Sequence, residues 1–205
     1  MRKTRVLLLL TAALAATLVL AACGGDDDDG GGGEEEAAIT ETIETSVTST
    51  DPAKCTQVET QAFLEQTNFS VGEEALQDCE EDAADTANDP ESVDVENISV
   101  DGSSASADVR FTGGGFDGST VSVDLVKEGE QWKLDAITDV PELNLEAFQE
   151  SFVDQLQEQG DIPPQIADCI GQAIQDATED DIKQVLVSGQ EQDLIGLLGD
   201  CIPAS

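Results

Sequence analysis

Cysteine is the residue type whose spacing could support specific chemistry in this chain of 205 residues, and five are present: Cys23, Cys55, Cys79, Cys169 and Cys201. Their thiols can be acylated, joined in disulfides or used as metal ligands. The chain has no His and no Tyr, two side chains that enzymes use to move protons. The composition therefore favours covalent chemistry at cysteine over acid–base catalysis.

The segment before Cys23 predicts that this cysteine carries lipid. Three basic residues among the first five precede an uncharged run from Val6 to Leu20, which is rich in Leu and Ala and short for a membrane span. Ala21 and Ala22, directly before Cys23, resemble the lipobox of bacterial lipoproteins. The resemblance implies cleavage of the signal peptide, residues 1–22, and acylation of the cysteine with several chains, palmitate among them. The alternative is a transmembrane anchor, or an ordinary signal peptide followed by an incidental cysteine.

The charge of the chain limits its partners. Eight basic residues oppose 45 acidic ones, for a formal charge of −37, and cleavage removes three of the basic residues, which lowers the charge to −40. Nucleic acid is excluded as a partner, since phosphate recognition needs clustered Lys and Arg. Direct docking on anionic lipid is disfavoured for the same reason. We therefore expect the lipid on Cys23 to hold the protein at the extracytoplasmic face of the cell membrane.

The other four cysteines are the even number that two disulfides need in an exported protein. Of the three possible pairings, Cys55 with Cys79 and Cys169 with Cys201 is favoured, because each bridge then lies within one structural segment and neither crosses the strands between them. Each would stabilise the fold by roughly 3–4 kcal/mol in the chain-entropy treatment. Free thiols or a metal site are the alternative, but the chain has no His and no closely spaced cysteine pair of the kind that zinc sites use. No metal and no cofactor is predicted.

Composition divides the mature chain into three parts. The residues from 23 to 36 comprise Cys23 and a run rich in Gly, Asp and Glu, which cannot bury a core and is interpreted as a flexible tether. Helical and strand periodicities then predict an α+β domain over 37–140. Helical periodicity alone continues over 141–205 and predicts a small disulfide-stapled helical module.

The α+β domain is predicted to begin with helices and to continue as a sheet. Three apolar residues at helical spacing mark the first helix: Ile39, Ile43 and Val47. Two more helices are predicted over Cys55–Glu65 and from about Gly72 to Ala87. Four strands follow: Val93–Val100, Ala105–Phe111, Val121–Val126 and Gln131–Ile137. Their short turns predict antiparallel pairing, and a change of phase in the first strand predicts a bulge near Glu96 and Asn97.

Helices followed by a curved antiparallel sheet that ends in Trp132-Lys133-Leu134 resemble the nuclear transport factor 2-like superfamily, in its secreted bacterial lipoprotein branch. The resemblance covers about Ala37 to Val140. It implies a cone in which the sheet wraps around the helices and leaves a pocket. Three aromatic residues are the predicted pocket lining: Phe63, Phe111 and Trp132.

The helical module carries four amphipathic patterns. The first contains Phe148 and Phe152 and stops near Gly160. The second contains Cys169, and the last contains Cys201, so the predicted bridge would join these two helices. Between them, Thr178 followed by Asp181 predicts a capping box, and Gly189 predicts the end of that helix.

The absence of His and Tyr predicts a binding or interaction module without catalytic residues, whose partner is an unknown protein or a small apolar ligand. The strand acids Asp108, Asp124 and Asp135 alternate out of phase with the apolar residues, so we expect them on the outer face, in ion pairs with the basic residues there. One alternative is an isomerase- or cyclase-like enzyme in which Glu65 or Glu73 enters the pocket. The other is a structural envelope protein that docks through the helical module.

Overall fold

The architecture comes from a computed structural model, which describes residues 32–84, 89–158 and 162–201. The predicted signal peptide, Cys23 and the tether up to residue 31 lie outside the described residues, as do residues 85–87 of the predicted third helix and Gly160. The helices of the described chain are α1 (Gly32–Thr48), α2 (Lys54–Gln57), α3 (Gln61–Asn68), α4 (Glu73–Asp82), α5 (Leu145–Glu158), α6 (Pro164–Asp176), α7 (Glu179–Ser188) and α8 (Glu191–Leu198). Its strands are β1 (Ser92–Asp101), β2 (Ser104–Thr112), β3 (Thr120–Glu128) and β4 (Gln131–Glu142). None of these helices combines the length and the apolar character that crossing a membrane requires.

The fold class is α+β, as predicted, with helices α1–α4, an antiparallel sheet and then helices α5–α8. The sheet has the strand order β1-β2-β3-β4, in which each strand pairs with the next along the chain. The predicted bulge is confirmed, because the register of β1 with β2 shifts between Glu96 and Ser99, and Asn97 has a φ of 53°. Bulges bend a strand and increase its twist, so this shift and those between β3 and β4 curve the sheet.

The last strand is longer than predicted. β4 continues from Ile137 to Glu142, because Val140 is buried to 1% exposure and Glu142 still pairs with Thr120. Pro141 is tolerated there because β4 is an edge strand, where a missing backbone N–H leaves no neighbouring strand without a donor.

Helix α1 packs on the sheet through Ile39 and Ile43, which are 0% and 1% exposed. It begins at Gly32, within the segment predicted to be tether. Glu35 explains the difference, because its carboxylate pairs with Lys127 Nζ of β3 at 2.6 Å. An acidic side chain in the first turn also suits the helix dipole.

The helix predicted over Cys55–Glu65 is two helices, α2 and α3, separated by Val58–Thr60. These three residues run beside β4: the Thr60 amide donates to the Leu134 carbonyl at 2.9 Å, and the Leu134 amide donates to the Val58 carbonyl at 2.9 Å. Thr60 then caps α3 by accepting from the Phe63 amide. The helical pattern fails here because the free edge of β4 takes the backbone groups that a continuous helix would have used.

The helical module packs against the α+β domain as well as on itself. Its own core contains Ile174 and Ile182, each 2% exposed, and its capping box at Thr178 and Asp181 is present as predicted. A chain of ring contacts joins it to the sheet, with centroid distances of 5.5, 5.5 and 6.1 Å between successive rings: Phe111, Phe116, Phe148 and Phe152. The module therefore covers one side of the sheet's core.

Candidate functional site

An apolar cavity of about 120 Å³ lies between the sheet and helices α1, α3 and α7. Its buried lining residues form the floor: Ile43, Ser46, Val109, Val121, Val123, Leu134 and Val140. Its partly exposed lining residues form the rim: Val47, Phe63, Phe111, Phe116, Ile137 and Leu186. The rim includes Leu186 of the helical module, so the module helps to close a cavity that the α+β domain forms.

Two of the three residues predicted to line a pocket do line this cavity. Phe63 projects from α3 and Phe111 from β2, both half-buried at the rim. Trp132 is placed elsewhere: it is 3% exposed in the core and borders a separate cleft with Ala38 and Thr42 of α1. Lys127 Nζ lies 5.3 Å from the centre of its ring, and the indole N–H has no hydrogen-bond partner among the described residues. The tryptophan strand was thus correctly identified, but its aromatic ring packs beside α1 rather than in the cavity.

The rim is held in place by Gln66, which joins three elements. Its amide nitrogen donates to the carbonyls of Ile137 and Val187 at 2.8 Å each, and its amide oxygen accepts from the Ile137 N–H at 2.8 Å. Gly189 follows α7 with a φ of 57°, and a Cβ there would lie 2.6 Å from Gln66 Cα. Gln66 therefore fixes α3, β4 and α7 around the cavity, and Gly189 permits the close approach.

Ser46 is the polar side chain of the cavity wall. It projects from α1, it is 7% exposed, and its Oγ lies 2.6 Å from Oε1 of Glu59. The other lining residues are aliphatic or aromatic. Because this hydroxyl is turned to Glu59, the surface of the cavity is almost entirely hydrocarbon.

Glu59 is a buried acid that the sequence interpretation did not single out. It is 6% exposed, and burial raises the pKa of its carboxyl, although the bond from Ser46 and the charge of Lys54 act in the opposite direction. Its Oε2 lies 3.3 Å from Cys79 Sγ. A disulfide sulfur has no proton to donate, so only the protonated form of Glu59, which the raised pKa favours, can donate from Oε2 in this contact, while Oε1 accepts from Ser46.

The break between α2 and α3 places Glu59 in the interior. If Cys55–Glu65 were one helix, as predicted, nothing would distinguish Glu59 from its polar neighbours. The position of Glu59 could have been predicted from Thr60. Threonine is a preferred N-cap residue, and a cap at Thr60 leaves Glu59 outside the helix. The two acids that were predicted as candidates lie elsewhere: Glu65 accepts from Gln61 and from the Gly72 amide at the α3–α4 turn, and Glu73 is exposed.

The Cys55–Cys79 and Cys169–Cys201 disulfides are both present in the structure. The first joins α2 to α4 directly beneath Glu59. Ligand atoms of Cys55, Glu59 and Cys79 lie within 4.8 Å of one another, a grouping that could hold a metal ion. Thiolates are the form of cysteine that binds metal, and both sulfurs here are oxidised, so the grouping is a buried disulfide beside an acid.

The three strand aspartates lie on the outer face of the sheet. Asp108 accepts from Ser122 Oγ at 2.6 Å and from Asn97, and Asp124 is exposed, whereas Asp135 is half-buried. The basic residues pair with glutamates instead of these aspartates, Arg110 with Glu142 at 3.4 Å and Lys133 with Glu128 at 3.0 Å. Such surface pairs contribute about 1 kcal/mol at most.

Comparison with protein-family models, with curated proteins and with solved structures finds no match for this chain.

Proposed function

We propose that this protein is a lipid-anchored, extracytoplasmic binding protein that takes a small apolar molecule into the cavity between its sheet and helices, without catalysing a reaction. The observation that carries the proposal is the cavity itself, a space of about 120 Å³ with hydrocarbon walls. Protein interiors are close-packed, so a space of this size under a partly exposed rim supports a role in binding a ligand.

The size of the cavity limits the ligand. An engineered apolar cavity of about 150 Å³ binds benzene or xenon, so about 120 Å³ suits one small ring or a short alkyl chain. Burial of about six carbons at roughly 0.8 kcal/mol each gives about 5 kcal/mol, which corresponds to a dissociation constant of about 0.2 mM. A ligand that extends beyond the rim would add area and affinity.

Anchoring is proposed from the sequence before Cys23, together with the two disulfides. Disulfides form and persist outside the reducing cytosol, which agrees with export. Membership of the nuclear transport factor 2-like superfamily is part of the same proposal, and it is supported by helices that precede a curved antiparallel sheet with a cavity between them.

Binding is favoured over catalysis by the position of Glu59. A general base must lie within hydrogen-bond reach of the proton that it removes, and the carboxyl of Glu59 is separated from the cavity by Ser46. Its other oxygen contacts the disulfide.

A proton-transfer enzyme is the second candidate, because a buried acid with a raised pKa is a common feature of active sites. Such an enzyme would exchange the α-protons of a ring-sized ketone, such as cyclohexanone, for deuterium in D2O. Exchange that disappears in Glu59→Gln would support catalysis. Exchange no faster than in that variant would support binding alone.

The binding proposal is tested by filling the cavity. In the mature chain, residues 23–205 with Cys23→Ser to prevent acylation, benzene is expected to shift the NMR methyl signals of Val121 and Leu134. Val123→Phe fills the cavity and should abolish these shifts, whereas Val126→Phe is the matched control on the outer face of the same strand and should retain them. Absence of benzene shifts in the unsubstituted chain would disprove the proposal.

A further inference from the structure

Three phenylalanine side chains border the cavity, and they indicate what its ligand carries. We infer that the ligand presents a flat, uncharged aromatic ring, which fits between Phe63 on one side and Phe111 and Phe116 on the other. The cavity then prefers an aromatic ring to a saturated ring of similar size. The inference rests on the proposed binding function and deepens it by naming the chemical class of the ligand.

The aromatic side chains at the cavity differ in their partners. Phe111 and Phe116 are in ring contact, with centroids 5.5 Å apart, and Phe116 contacts Phe148 at the same centroid distance. Phe63 projects from α3, and none of the aromatic rings in the described part of the chain contacts it. The half-buried ring of Phe63 therefore borders the cavity without an aromatic partner among these residues.

The spacing of the elements leaves room for one ring between the two sides of the rim. Phe111 lies on β2, whereas Gln66 holds α3, which carries Phe63, against Ile137 of β4. Two strand spacings separate β2 from β4, a distance of about 10 Å. Aromatic pairs prefer centroid separations of about 4.5–7 Å, so a ligand ring midway would lie within this range of both sides.

The floor of the cavity has no comparable preference. Apart from Ser46, whose hydroxyl is turned to Glu59, the floor residues are aliphatic and contact saturated and aromatic rings alike through dispersion. An aromatic ring also interacts with the edge or face of another ring, which a saturated ring cannot do. Discrimination between the two kinds of ring is therefore expected at the rim. A charged ring would lose its hydration against hydrocarbon walls without gaining a partner.

Benzene and cyclopentane form a suitable pair of probes, because both are compact hydrocarbon rings of similar volume and only benzene is aromatic. The ratio of their dissociation constants is measured by NMR titration of the mature chain with Cys23→Ser. Comparing this ratio between variants cancels the different hydration of the two molecules. Phe63→Leu keeps an apolar side chain but removes its ring, so it should bring the ratio about fivefold towards cyclopentane.

Phe111→Leu removes a ring from the opposite side of the cavity and should move the ratio in the same direction. Phe69→Leu is the matched control for both substitutions. Phe69 is also half-buried and directly follows α3, but it lines a separate cleft between the α3–α4 turn and the start of α8. Its substitution should therefore leave the ratio unchanged.

The outcomes separate the two proposals. If neither benzene nor cyclopentane binds, the binding function is wrong. If both bind and Phe63→Leu leaves the ratio unchanged, the function stands and the inference is wrong. Should Phe63→Leu not fold, nuclear Overhauser contacts in the unsubstituted chain decide: benzene protons next to the ring protons of both Phe63 and Phe111 support the inference, and benzene contacts confined to the methyl groups of the floor overturn it.

Discussion

The two disulfides of this protein close loops of similar length but lie in different surroundings. Cys55 and Cys79 are 1% and 8% exposed and belong to a small core with Leu64 and Ala75, and Cys79 contacts Glu59. Cys169, by contrast, is exposed, and Cys201 is half-buried. With sequence separations of 24 and 32 residues, the chain-entropy contribution of each is about 3.5 kcal/mol. The two bridges therefore differ in the folded state. Cys55–Cys79 packs against the buried acid Glu59, whereas Cys169–Cys201 joins α6 to the end of the helical module.

The largest expected difference is in the rate of reduction. Reduction requires dithiothreitol to reach a sulfur atom. Cys169 is exposed and can be attacked directly, whereas the buried Cys55 can be attacked only after the fold opens locally. If that opening costs about 3 kcal/mol, Cys55–Cys79 is reduced about 100-fold more slowly. Timed reduction without denaturant, alkylation and peptide mass spectrometry would measure both rates. Equal rates would show that the α2–α4 region opens as readily as the helical module.

The second-largest effect is expected at the contact between the α+β domain and the helical module. Gln66→Ala removes three hydrogen bonds of 2.8 Å to β4 and α7, each contributing about 1 kcal/mol, and should lower the free energy of unfolding by about 2–3 kcal/mol. Urea unfolding followed by the fluorescence of Trp132, the one tryptophan in the chain, would measure it. Gln77→Ala is the matched control, because Gln77 is exposed and its side chain donates to Glu81 within α4. A loss no larger than that of the control would mean that Gln66 does not join the α+β domain to the helical module.

Glu59 makes the stability of the α+β domain sensitive to pH. Burial raises the pKa of its carboxyl in the folded state above the ordinary value of 4.5, so its contribution to stability is complete below pH 4.5 and is lost as pH rises through the folded pKa. Glu59→Gln cannot ionise and should therefore be more stable than the unsubstituted chain at neutral pH, with the advantage fading at acid pH. Denaturant unfolding from pH 4 to 8 gives the difference, and Glu65→Gln controls for the loss of one negative charge. A difference that grows as pH falls would contradict the raised pKa.

The smallest effect is expected in the helical module. Thr178→Ala removes the side chain that accepts from the Asp181 amide at the start of α7, and loss of such a cap costs about 1 kcal/mol. The substitution should lower the urea midpoint slightly and leave benzene binding unchanged. Loss of benzene binding would mean that the position of α7, and hence of Leu186 at the rim, depends on this cap.

Local features of the sequence predicted most of the fold. Alternation at Ala105, Ala107 and Val109 identified β2, and the Thr178–Asp181 spacing identified the start of α7, because both patterns are complete within a few residues. The site depended on contacts between distant segments. Glu59 enters the interior only because Val58–Thr60 pairs with β4, and no pattern within the segment encodes that partner.

Phe63 and Phe111, the two predicted lining residues that border the cavity, lie on regular elements whose faces follow from periodicity. Trp132 also lies on a predicted strand and faces the core, but which neighbour it packs against depends on where α1 crosses the sheet. Periodicity gives the face of a residue and leaves its neighbours to tertiary packing.

Xenon is the most direct probe of the proposed binding site. Crystals of the mature chain with Cys23→Ser would be pressurised with the gas, which enters apolar cavities of this size. A binding cavity predicts one strong xenon peak among Ile43, Val123 and Leu134. Density filled by side chains at that position, with no xenon, would contradict the proposal that this protein binds a small apolar molecule there.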